Sequence, residues 1–208
     1  MCDEQLMRAA ESHLRASGKR MAALVDTVGH CQITYTPPTF ESLARSIVYQ
    51  QISIRAARSI YAKLQAACNQ PAALQPKHLL KLSEPQLRAC GLSSQKVRYL
   101  LDLAAKTEHG LVEFHRFPAM SDEEVIAELT LVKGIGVWTA QMFLLFSLRR
   151  MDVWPTGDLG IRNAIRKLHR LKEAPTPAET ELRGRKWRPY GSVASWYLWR
   201  SLEPTGPF

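Results

Sequence analysis

Two short stretches hold residues whose types and spacing suit chemistry. In LVKGIGVWTAQMFLL, residues 131–145, Gly134 and Gly136 flank Ile135, and Trp138 follows almost at once. Glycines at such a turn take positive φ or let another backbone approach closely. A helix, a hairpin and a second helix would then aim backbone N–H groups and the positive helix start at one point, which suits a phosphate oxygen. Such a turn grips a nucleic-acid backbone without reading its sequence. On these residues alone the usual reading of such a turn is packing between two helices. Lys133 beside the turn, and Arg149 and Arg150 at the expected end of the second helix, favour the phosphate reading, although cations there also suit the helix dipole.

The second stretch, RRMDVWPTGDLGIRNAIRKL, offers two acids. Asp158 follows Thr156 and Gly157 and stands just before a helical pattern through Leu159, Ile161, Ala164, Ile165 and Leu168, the position of an N-cap. Helix N–H groups favour a charged cap, so Asp158 is expected to persist as a fixed anion. An anion suits a reaction that develops positive charge, such as cleavage of an N-glycosidic bond through an oxocarbenium-like state. An ion pair at contact distance in partly screened surroundings is worth about 4 kcal/mol, on the order of a thousandfold in rate. Cap and catalyst are compatible roles. Asp152, ahead of Val153 and Trp154, reads as a structural or surface acid.

The elements that must position these residues are helical. Apolar residues recur at three and four spacing, and period-two alternation is confined to the neighbourhood of QITYT before Pro37 and Pro38, so an all-α fold is predicted. Leu43, Ala44, Ile47 and Val48 form one stripe. Ile54, Ala57, Ile60, Tyr61 and Leu64 form another, capped by Ser53, which leaves Gln50 and Gln51 at a helix junction. SEPQLRACGL predicts a short helix with Ser83 as cap and Gly91 closing it, and a longer helix starts at Ser94. Ser121 and Glu124 make a capping box for a helix ending near Lys133. Residues 172–178 read as a loop, and GSVASWYLWRSL from Gly191 returns to helical spacing.

Composition narrows the partner. Lys and Arg number 28 against 19 acids, a formal charge of +9 over 208 residues, which suits a polyanion without naming one. Cys2, Cys31, Cys68 and Cys90 show no CxxC pairing, so reduced, buried thiols are expected. The six histidines lack the paired spacing of a zinc site. Neither a signal-peptide order nor a long uncharged apolar run is present, which predicts an intracellular protein with no membrane association.

Taken together, LVKGIGVWTAQMFLLFSLRRMDVWPTGDLGIR, SIVYQQISIRAARSI, GLSSQKVRYLLDLA and WRPYGSVASWYLW resemble the helix-hairpin-helix DNA glycosylases, specifically the 3-methyladenine DNA glycosylase II type that removes alkylated purines. The likeness spans residues about 40 to 202 and looks like the compact form without an N-terminal β-domain. It implies two helical lobes with the active site in the cleft between them: 40–150 with the hairpin at 130–139, and 1–39 plus 151–208. By position, Asp158 matches the essential aspartate, and Lys133, Gly134, Gly136 and Thr139 fall at the phosphate-binding hairpin. The carbonyls of Thr130, Val132 and Ile135 fall where the family holds a monovalent cation, K+ or Na+. Gln51, or its neighbour Ile52, would fill the gap left by the extruded base, and Trp138, Met142 and Trp199 would line the base pocket. Met142 replaces an aromatic found in some relatives, and Lys133 stands where the hairpin often has proline.

Relatives that also cut the strand carry a nucleophilic lysine at the position of Trp138, and an indole cannot form a Schiff base. The resemblance therefore implies a monofunctional enzyme, acting as a monomer on double-stranded DNA containing alkylated bases such as 3-methyladenine and 7-methylguanine. It needs no catalytic cofactor and leaves an abasic site, with Asp158 stabilising the oxocarbenium-like state or activating water. The implied place of work is the nucleoid in a prokaryote or the nucleus in a eukaryote. Trp138 reads otherwise as core, and an aromatic pocket wall would attract a cationic base by roughly 0.5–2 kcal/mol, which implies a permissive pocket. The run Arg183, Arg185, Lys186 and Arg188 beside Trp187 reads equally as a solvated face or as DNA contact. Two rivals stand beside this reading: a non-enzymatic helix-hairpin-helix DNA-binding protein, and a bifunctional glycosylase-lyase for oxidised bases.

Overall fold

In the computed structural model, which describes residues 3–68 and 73–202, the apolar stripes become twelve α-helices, with no strand among those residues. The order is α1 (Asp3–Ala16), α2 (Lys19–Val28), α3 (Phe40–Tyr49), α4 (Ile54–Ala67), α5 (Pro76–Leu79) and α6 (Glu84–Ala89). There follow α7 (Ser94–Glu108), α8 (Asp122–Thr130), α9 (Val137–Phe146), α10 (Leu159–His169), α11 (Pro177–Gly184) and α12 (Gly191–Leu202). They form two compact units: Thr36–Leu148, and the described residues up to Tyr35 together with those from Arg149 on.

In the unit built from Thr36 to Leu148, α7 is the hub. Its buried face, Val97, Leu100, Leu103 and Ala104, receives α3, α5 and α6, while α8 packs on α9. Phe40, Phe114, Phe117 and Phe143 add an edge-to-face cluster with ring centroids 5.4 to 6.4 Å apart, the geometry that the ring quadrupoles favour. The other unit is organised on α12, whose residues from Gly191 to Leu198 are all buried and which packs on α1, α2 and α10. Buried Glu11 of α1 accepts the Cys31 amide and pairs with His30 Nδ1, both at 2.8 Å, and so fixes the segment after α2.

Caps explain most helix starts. Ser53, Ser93 and Ser121 each accept a backbone amide three residues on, and Glu124 returns the bond to the Ser121 amide at 2.7 Å. Several expected limits shift. The helix from Ser121 stops at Thr130, short of Lys133, and the next stops at Phe146, so Arg149 and Arg150 lie beyond it rather than in its last turn. Arg149, at φ 55°, places its guanidinium 4.8 Å from the Tyr35 ring centroid. The expected loop at 172–178 is shorter, because Thr176 and Glu179 form a further capping box that starts α11 at Pro177.

Cys31, Cys68 and Cys90 are free and buried, and burial pushes the Cys31 thiol up to about 12; Cys2 lies outside the described residues. No helix among the described residues is long and apolar enough to cross a membrane.

Candidate active site and nucleic-acid interface

The carboxylate comes first. Asp158 is the N-cap of α10, with extended backbone at φ −69° and ψ 120°, and its Oδ1 accepts the Ile161 amide at 2.7 Å. Trp199, on α12, donates its indole N–H to the same oxygen at 3.0 Å. The side chain is held on a rigid helix start at 8 % exposure, by two donors from different elements of one unit. Gly160 makes this possible: a Cβ there would stand 2.9 Å from Asp158 Oδ1 and 3.1 Å from Trp199 Cδ1. Gly160 carries a signal in the sequence too, since glycine in the first turn of a helix is an unfavourable choice that asks for a packing reason. The neighbouring acid is employed otherwise. Asp152 Oδ2 pairs with Arg188 at 2.9 Å and Oδ1 accepts the Gly191 amide at 3.0 Å, a clamp on the start of α12.

The basic run 183–188 divides accordingly. Arg188 is spent on Asp152 and on Glu181, 3.6 Å away, and Lys186 lies 5.4 Å from the Trp187 ring centroid.

The hairpin lies in the other unit, between α8 and α9. Gly134 adopts φ 82°, and a Cβ there would come within 2.1 Å of the Tyr99 ring, so both conformation and space require glycine. Gly136 differs from expectation. It is the extended N-cap of α9 at φ −93°, with nothing within 4 Å of a Cβ placed on it. The Lys133 amide is turned inward, donating to Asp102 Oδ2 at 2.8 Å, and the Ile135 amide donates to Val132 O at 3.1 Å. Asp102 also pairs with Lys106 at 2.6 Å. Burial works to raise the Asp102 carboxyl, but the hydrogen bonds and charges of Lys106 and Lys133 outweigh it and hold it below the ordinary carboxylate range.

Beside the hairpin the same unit opens a cavity of about 890 Å³, lined by Trp138, Thr139 and Met142 of α9, by Gly134, and by Gln51 and Ile52 of the α3–α4 loop. Trp138 is 49 % exposed, so it is no core residue. Trp199, expected from the resemblance to line the base pocket with Trp138 and Met142, directs its N–H to Asp158 within its own unit.

Residues 44–189 match the family model of the HhH-GPD superfamily base excision DNA repair proteins. The chain belongs to that family. Among HhH-GPD relatives, the DNA-3-methyladenine glycosylase 1 of Schizosaccharomyces pombe is 35% identical over 202 residues, 93% of this chain and 87% of the relative. A solved structure of a 3-methyladenine DNA glycosylase of that organism, in complex with abasic DNA, superposes with a TM-score of 0.83 at 35% identity, covering 93% of this chain and 96% of that one. The DNA-3-methyladenine glycosidase of Bacillus halodurans gives 0.84 at 34% identity, covering 93% and 89%.

Four further residues of this HhH-GPD chain touch the hairpin or its neighbouring loop and were not singled out beforehand as site residues: Gln50, Lys96, Tyr99 and Asp102. The signal was present, since Lys96, Tyr99 and Asp102 repeat every three residues along α7, a polar stripe beside an apolar one.

Proposed function

We propose that this chain is a monofunctional DNA glycosylase of base excision repair, acting as a monomer on double-stranded DNA and releasing alkylated purines such as 3-methyladenine and 7-methylguanine. The observation that carries the reading is the Asp158 carboxylate, held by the Ile161 amide and the Trp199 indole on a helix start. A carboxylate fixed in advance stabilises positive charge on the sugar without reorganising as the charge develops. A cationic alkylpurine leaves with the electron pair of the N-glycosidic bond and becomes neutral. Water then adds to the sugar carbon and gives up a proton, and the product is an abasic site. Asp158 stabilises the cationic sugar or receives that proton. Trp138 occupies the place of the lyase nucleophile and cannot form the imine that strand cleavage requires.

Around this chemistry Trp138 and Met142 line the pocket beside the hairpin, and Trp199 holds the Asp158 carboxylate. Gln51, or Ile52, enters the stack after extrusion. Lys133, Gly134, Gly136 and Thr139 hold the backbone, Lys133 through its side chain because its amide is committed to Asp102. The carbonyls of Thr130, Val132 and Ile135 would hold K+ or Na+ at the hairpin. Neutral carbonyl oxygens suit a monovalent cation, and Val132 O, which already accepts the Ile135 amide, keeps its second lone pair. When bound, the ion would offset part of the phosphate charge.

Release of 3-methyladenine from methylated DNA by wild type but not by Asp158→Asn is the expected result. No base release by wild type would overturn the enzyme reading in favour of a DNA-binding protein. Strand cleavage without alkali or a second enzyme would overturn the monofunctional one.

A further inference from the structure

Between α3 and α4 the chain turns sharply: Gln50 has φ −54° and ψ 131°, and Gln51 is left-handed at φ 56°. A non-glycine residue in that region persists only where its surroundings hold it. The holding group is Lys96, in the first turn of α7. Its ammonium donates to Val48 O at 2.6 Å and to Gln50 O at 2.7 Å, taking up carbonyls at the C-terminal end of α3 where a positive charge is favoured. Burial lowers the proton affinity of Lys96, which marks it as a lysine drawn off the solvated face.

Gln50 continues the connection. Its side-chain amide donates to Gly134 O at 3.1 Å, so one residue is tied to Lys96 by its carbonyl and to the hairpin by its side chain. One helical turn further along α7 the Tyr99 ring fills the space beside Gly134, and the next polar position, Asp102, takes the Lys133 amide. A single face of α7 therefore fixes both the loop that carries Gln51 and the turn that carries Gly134.

Resting on the glycosylase reading above, we propose that Lys96 is a positioning residue for base extrusion: it holds Val48 and Gln50, fixes Gln51 for entry into the duplex, and through Gln50 keeps that entry in register with the phosphate grip at Gly134. A lysine that merely capped α3 would affect stability and would slow every substrate alike. A positioning lysine matters most where a base must be pulled from an intact stack, since extrusion costs a few kcal/mol from paired DNA and least from an unpaired site.

The test compares single-turnover release of 7-methylguanine from a fully paired duplex and from the same sequence with the lesion in an unpaired bubble. Lys96→Met is expected to lower the paired-to-bubble rate ratio by about tenfold or more, Lys96→Arg to restore part of it, and Gln51→Ala with Lys96→Met to be no slower on the duplex than Gln51→Ala alone. An unaltered ratio, or losses that simply multiply in the double variant, would refute the proposal while leaving the glycosylase reading intact. If Lys96→Met does not fold, Gln50→Leu carries the same comparison: a reduced ratio supports the coupling and an equal one refutes it. Absence of release by wild type from both substrates removes the glycosylase reading and this inference together.

Discussion

Trp199 Nε1 stands 3.0 Å from Asp158 Oδ1, an indole donor of α12 aimed at the cap of α10. Forty-one residues separate the two in the chain, and the contact turns a helix-capping acid into one whose orientation is set by two elements. Gly160 leaves room for it, since any side chain there would reach the carboxylate or the indole.

Trp199→Phe should therefore keep most of the packing and lose the bond. A hydrogen bond to a charged group contributes roughly 1.5–3 kcal/mol, so base release should slow by about ten- to a hundredfold. Single-turnover release of 7-methylguanine measures it, and a wild-type rate would show that the Ile161 amide alone orients the carboxylate.

The two hairpin glycines should respond differently to alanine. At Gly134 the new Cβ meets the Tyr99 ring at 2.1 Å and the backbone is left-handed, so Gly134→Ala should lose roughly 2 kcal/mol or more and weaken DNA binding. Gly136 has ordinary φ and open space, so Gly136→Ala should stay within about 1 kcal/mol of wild type. Urea midpoints and binding to an abasic-site duplex separate the cases; equal effects at both positions would contradict the assigned conformations.

The two neighbouring acids should separate stability from chemistry. Asp152→Ala leaves the Gly191 amide without its acceptor and takes one of two carboxylate partners from Arg188, which keeps Glu181, so the change should cost roughly 1–3 kcal/mol in the urea transition. Asp158→Asn retains an oxygen able to cap α10, so the transition should move little while base release is lost. Loss of release by the folded Asp152 variant, matching that of Asp158→Asn, would argue against this division.

His169 gives an acid-side dependence. Burial, and then the charges of Lys186, Arg183 and Arg20, lower its proton affinity from the ordinary 6.5. Because the folded form takes up the proton less readily than the unfolded chain, stability falls as pH drops through about 6.5 and levels off below the folded value. Between about pH 7.5 and pH 5, wild type should lose more of its Tm than His169→Asn, whose amide oxygen can replace Nδ1 as the partner of Arg20. Equal losses would show that His169 does not carry the dependence.

Local patterns in the sequence determined the helices, the hairpin and the capping role of Asp158, because caps, glycine turns and three-and-four spacing act over a few residues. Where a local signal went unread, as with Thr176 and Glu179 ahead of α11, the limit was misplaced although the motif was present. The left-handed turn of the hairpin was likewise legible from its glycines alone. Contacts between distant segments were not. Asp152 and Asp158 are both plausible acids in the chain, and only folding gives one to Arg188 and Gly191 and the other to Trp199. Gly134 and Gly136 look alike in GIG, yet the Tyr99 ring makes only the first indispensable. The sequence shows Lys96 only as one member of a polar stripe along α7, and folding alone brings its ammonium to the carbonyls of Val48 and Gln50. These assignments rest on which donor comes within about 3 Å of which acceptor, a property of packing that no spacing along the chain encodes.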